Sequence, residues 1–201
     1  MKEADSSLIY GGFLGLCYLT PMLGGFVSDR FFGNRNCILL GGIMMAIGQL
    51  IVFGSATVFG SNLELAKTLL WVALTIIIFG NGFFKPNISS MVGKLYKEGD
   101  SRTDAGFSLF YAGVNLGALI GGSICIAVAE GCMWHSLVPE NLRWNVGFGF
   151  AAVVMIISLL TFTQTQKSLG PIGLSPLMDV EKSKKKILEV ATYVGSLIIV
   201  P

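Results

Sequence analysis

Residues 68–92, TLLWVALTIIIFGNGFFKPNISSMV, carry a single charge, Lys85. At about 1.5 Å of rise per helical residue this stretch is long enough to cross a hydrocarbon core about 30 Å thick. Lys85 is roughly 13 Å of helix away from the flanking Lys94, so its amine sits below the headgroups. An ionisable side chain at that depth is costly and marks a functional site by default. The competing explanation is a lysine whose long stem lets the ammonium snorkel out to water. Its neighbours argue against this. Asn81, Lys85 and Ser89 are four apart and make a polar stripe on one side of a helix. Pro86 removes a backbone donor and frees the carbonyl of Gly82, which predicts a bend or break in the helix beside the lysine.

The rest of the chain agrees with a membrane protein. Of its 201 residues 53% are hydrophobic and 13% charged, with a mean hydropathy of +0.70. A soluble domain of this size does not have that balance. Spanning segments are expected at Leu8 to Val27, Ile38 to Phe59, Thr68 to Val92, Phe107 to Ala129 and Val146 to Phe162, with a further one starting at Ile187. The fold class is therefore an all-α polytopic helix bundle. A net charge of +2 says little, but its placement sets the topology. Arg30, Arg35, Lys94, Lys97, Arg102, Lys167, Lys182 and Lys184 to Lys186 share one side, which the positive-inside rule makes cytoplasmic. The amino terminus is then outside. An outside start points to one earlier helix beyond this chain, and the short final segment points to more chain after it. Three regions follow: a bundle over 1–165, a basic cytoplasmic linker over 166–186, and the start of another helix over 187–201.

Other chemistries find no support. Cys17, Cys37 and Cys125 lie in or beside spans, Cys132 in an outer loop, and no metal spacing emerges. His135 stands in that same loop beside Met133 and Trp134, as an interfacial residue. No catalytic grouping, nucleotide fingerprint or nucleic-acid footprint is present, so an enzyme is not expected. The triplet Asn87, Ile88, Ser89 lies inside a span, where glycosylation has no access. The lysines at 182 and 184–186 are a solvated flank, with contact to anionic lipid as the alternative. Along 107–129, Ser108, Tyr111 and Asn115 share one face. Gly113, Gly117 and Gly121 lie roughly opposite, where close packing against a helix is expected.

Two blocks carry a family resemblance. GGFVSDRFFGNR, from Gly24 to Arg35, is similar to the loop between the second and third helices of the major facilitator superfamily, and with YLTP from Tyr18 to Pro21 it resembles the proton-dependent oligopeptide transporters. FGNGFFKPNISSMVGKLY, from Phe79 to Tyr96, and DAGFSLFYAGVNLGALIG, from Asp104 to Gly121, resemble that family's signature in its fourth and fifth helices. Trp144 to Ala152 and GPIGLSPL, from Gly170 to Leu177, extend the resemblance over nearly the whole chain.

The resemblance implies helices two to six of the amino-terminal half of a two-half carrier that rocks around a central site, followed by the start of an extra helix between the halves. It implies that Lys85 binds a peptide carboxylate and takes part in proton coupling, with Tyr18, Asn115 and Tyr111 lining the same pocket. Asp29, Arg30 and Arg35 resemble the inner gate motif. The implied partners are di- and tripeptides, protons and the bilayer of a bacterial inner membrane, together with the first helix and the carboxy-terminal half of the parent carrier. No cofactor is implied, the proton gradient being the driving force. The family's ExxERF motif, whose glutamate would partner the lysine, is not in this sequence. No Asp or Glu lies inside a complete span. Transport by this chain alone is therefore not expected. A carrier for another small anion such as nitrate and a non-transporting structural fragment remain alternatives; an in-frame ExxERF helix upstream would favour peptides.

Overall fold

A computed structural model describes residues 3–133, 136–176 and 184. Within these residues every regular element is helical: α1 Glu3–Val27, α2 Gly33–Val58, α3 Leu63–Lys94, α4 Thr103–Ala129 and α5 Arg143–Thr165, with a π-helical turn over Ser28–Phe32 and short 3-10 turns at Glu140–Leu142 and Gln166–Leu169. Among the described residues four stretches are long and apolar enough to cross a membrane: Ser7–Val58, Leu63–Lys94, Thr103–Ala129 and Arg143–Leu169. The first has 52 residues, about 78 Å if straight, far beyond a core of about 30 Å. It folds back on itself. α1 runs alongside α3 from Cys17 near Asn81 to Gly24 near Gly82. α2 runs the other way, from Gly41 beside Gly80 to Ser55 beside Ala66. The reversal falls at Gly33, whose φ of 74° suits a residue without a Cβ.

α3 is the central helix. Asn62 caps its start by accepting from the Leu65 amide at 3.1 Å, with Glu64 in the first turn and Lys94 in the last. In lipid, helices gain nothing by burying apolar surface against each other, so close backbone approach and buried hydrogen bonds hold them together. Both occur along α3. A methyl group on Gly41 would lie 2.6 Å from the Gly80 carbonyl oxygen, one on Gly48 2.5 Å from Ile77, and one on Gly24 would overlap the Gly82 carbonyl. Thr20 donates to the Ile78 carbonyl at 3.1 Å and Ser55 to the Ala66 carbonyl at 2.7 Å.

Two expectations are corrected by this arrangement. α3 continues through Pro86 without interruption, so no helix break stands beside the lysine. The carbonyl that Pro86 releases lies against Gly24 of α1 instead of facing a cavity. The glycines of α4 are not packed: a methyl group on Gly113, Gly117 or Gly121 would meet nothing within 4 Å. Near its own start α4 meets the end of α3 and the turn that follows it, where Phe107 faces Gly93 and Tyr96 crowds Gly106. His135, Trp134 and the segment from Ile187 lie outside the described residues.

Candidate functional site

Lys85 sits in the charge-free part of α3, on a surface that α1 only partly covers. Its Nζ lies 4.8 Å from the centre of the Tyr18 ring, donated by α1. That geometry is a cation–π contact. One residue earlier in α1, the Cys17 carbonyl accepts from the Asn81 amide at 2.9 Å, which fixes the register between the helices one turn from the lysine. Asn81 is thus committed to helix pairing, and the expected stripe divides: Asn81 points to α1, while Lys85 is left exposed. Tyr18 is 72% exposed. Lysine and ring together form an open cationic spot on one wall.

Tyr111 and Asn115 stand on the exposed surface of α4, Tyr111 edge-on to Phe110 with ring centres 5.3 Å apart. The structure does not bring them against Lys85. Nor do the three grooves between α2, α3 and α5, of about 380, 270 and 720 Å³, include any expected site residue; Phe84 and Ile88 line the first, Met91 and Val92 the second, Ser55 and Phe148 the third.

A second constellation lies at the end of the bundle that carries the α1–α2 turn. Asp29 faces Lys94 of α3, Oδ1 to Nζ 3.9 Å. The Arg30 guanidinium lies 5.3 Å from the centre of the Phe26 ring. Arg35 is buried, and its Nη2 donates to the Gly170 carbonyl at 2.5 Å. The three residues expected at the gate are therefore each engaged differently. Beneath them runs a network that no sequence expectation covered. Lys94 donates to the Asn34 Oδ1 at 2.5 Å, and Asn34 donates to the Asn87 Oδ1 at 2.9 Å. Asn87 donates on to the Phe83 carbonyl at 2.7 Å and the Gly24 carbonyl at 3.4 Å. Asn34 and Asn87 are 2% and 1% exposed, and at that depth an unpaired amide would be destabilising, which explains the chain of partners. The signal was present in the chain: two asparagines in spanning helices, each within two residues of a basic residue of a motif.

The family model described as the POT family matches residues 35–192. The di-/tripeptide transporter of Lactococcus lactis subsp. cremoris is 38% identical over 196 residues, covering 96% of this chain and 36% of that protein. The uncharacterized transporter YclF of Bacillus subtilis (strain 168) is 34% identical over 194 residues, covering 95% and 34%. Among solved structures, the peptide transporter POT in complex with sulfate superposes with a TM-score of 0.67 at 32% identity, over 93% of this chain and 34% of the other. A bacterial homologue of the human drug peptide transporters PepT1 and PepT2 superposes with a TM-score of 0.70 at 25% identity, over 99% and 43%. The chain spans about a third of the length of the curated relatives it matches.

Proposed function

This chain belongs to the POT family, a family of multi-pass membrane transporters and not of enzymes, and from that premise we propose that it is part of a proton-coupled symporter for di- and tripeptides. On this reading α1 to α5 are helices two to six of the carrier, the inner turn at 28–35 faces the cytoplasm of a bacterial cell, and the remaining helices supply the rest of the site. Lys85 meets the peptide carboxylate and changes protonation during the cycle; Tyr18, Tyr111 and Asn115 line the same path. Asp29, Arg30 and Arg35 act at the inner gate.

The observation that carries this reading is the Lys85 ammonium held against the Tyr18 ring on an open face. A ring face attracts the cation without neutralising it, so the amine keeps its capacity for a carboxylate. A purely snorkelling lysine needs no such placement. The matching relatives named as di-/tripeptide transporters support the choice of substrate.

The test is a chimera in which this chain replaces the corresponding segment of the Lactococcus lactis di-/tripeptide transporter. It is expected to accumulate dipeptide in liposomes under an inward proton gradient, and Lys85→Ala is expected to abolish accumulation while leaving the protein inserted. Lys85→Arg should rescue poorly, because a guanidinium stays protonated through any cycle near neutral pH. Silent substitutions would sink the proposal. The 201-residue chain alone is expected not to accumulate peptide.

A further inference from the structure

We propose that Gly170–Ser175, the segment that follows α5, is a strap that fixes the turn between α1 and α2 and thereby holds Asp29 in place opposite Lys94. The segment falls within the stretch expected to be a basic cytoplasmic linker, and it is bonded to the turn at three points. The Gly173 carbonyl accepts from the Arg35 amide at 3.0 Å, the Gly170 carbonyl accepts from Arg35 Nη2 at 2.5 Å, and Ser175 Oγ donates to the Phe31 carbonyl at 2.6 Å.

Each contact answers a local need. Arg35 lies in the first turn of α2, where amides have no acceptor within their own helix, and the strap supplies one. Arg35 is almost wholly buried, and its guanidinium would be strongly disfavoured there without a carbonyl to receive it. The approach is close enough to require glycine at 33 and leaves little room for a side chain at 173. A Cβ on Gly33 would lie 2.5 Å from the backbone of Leu174, and one on Gly173 would lie 3.3 Å from both Arg35 Cγ and Met91 Sδ. Gly33 and Gly173 both have a φ of 74°. The pair of glycines and the buried arginine thus make one joint between the end of α5 and the α1–α2 turn.

The magnitudes assign the holding role to this joint. The Asp29–Lys94 pair is long, at 3.9 Å, with side chains 70% and 47% exposed. Water screens such a pair. The strap bonds are shorter, two of them engage a buried arginine, and all three involve backbone, which makes the turn's position independent of the ion pair.

Amide hydrogen exchange on the 201-residue chain in lipid nanodiscs tests the strap without any transport measurement, so failure of the transport reading leaves it decidable. In the Gly173→Ala, Ser175→Ala double variant, exchange at Arg35 should rise at least about tenfold while amides of 46–52 within α2 keep their protection. Unchanged exchange at Arg35 would overturn the proposal. If the double variant loosens α2 throughout, Ser175→Ala alone, which removes the hydroxyl and leaves both strap glycines in place, is decisive. Faster exchange confined to 31–36 then supports the strap, and unchanged exchange refutes it.

Discussion

The Lys85 ammonium rests 4.8 Å from the centre of the Tyr18 ring, so a charge on α3 is oriented by an aromatic face on α1. Such a contact is worth about 0.5–2 kcal/mol, more as it is desolvated. If the ring is what positions the amine, Tyr18→Phe should leave dipeptide affinity of the chimera within about twofold. Tyr18→Leu should weaken it about fivefold, the equivalent of roughly 1 kcal/mol. Equal losses in both variants would show that the hydroxyl itself meets the substrate.

The glycines provide a contrast in stability. Gly24→Ala pushes a methyl into the Gly82 carbonyl, whereas Gly117→Ala enters open space. Overpacking of the first kind costs about 1–3 kcal/mol, while an exposed substitution stays within about 0.5 kcal/mol. Thermal unfolding of the membrane-embedded chain, followed by tryptophan fluorescence, should therefore show a lowered midpoint for Gly24→Ala alone. Equal midpoints would mean that α1 and α3 cross at a greater distance.

The helices themselves were legible in the chain, because an apolar run as long as 68–92 must satisfy its backbone internally wherever lipid surrounds it. Partner choice was not. A repeat of Gly113, Gly117 and Gly121 says that a backbone can approach, but the approach happens at Gly24, Gly41 and Gly48, whose spacing is less regular. Pro86 signals a freed carbonyl, yet whether that carbonyl opens a cavity or packs on Gly24 depends on a helix some sixty residues earlier. Of the expected site residues, Lys85 and Tyr18 come together, while Tyr111 and Asn115 stand apart from them on α4. The strap was hidden for a plain reason: Gly170–Ser175 has neither charge nor periodicity, and its bonds are made largely by backbone.

The native cysteines report the topology. Cys132 is exposed in the α4–α5 connection, at the end of the bundle opposite Glu98 in the α3–α4 connection. If the basic end faces the cytoplasm, an impermeant maleimide should label Cys132 in intact cells. Glu98→Cys, in a chain lacking the other cysteines, should label only after permeabilisation. The opposite pattern would invert the assignment.

The last expectation concerns Asp29, whose carboxylate faces Lys94 at 3.9 Å in a pair open to solvent. A pair of this kind contributes about 0–1 kcal/mol to stability, so Asp29→Asn should leave thermal unfolding nearly unchanged. A role at the inner gate predicts a different outcome in transport. In the chimera, Asp29→Asn should slow the maximal uptake rate several-fold while peptide affinity, measured by equilibrium binding, stays within about twofold, because the pair would act on the change of access state and not on the substrate. Lys94→Gln should slow uptake in the same way but also loosen Asn34, since Lys94 donates to its Oδ1 and Asn34 in turn holds Asn87. The lysine variant, unlike the aspartate variant, should therefore lower the unfolding midpoint, by the order of one hydrogen bond, about 1 kcal/mol. Parallel losses of affinity and rate in Asp29→Asn would place the carboxylate in the binding site and remove it from the gate.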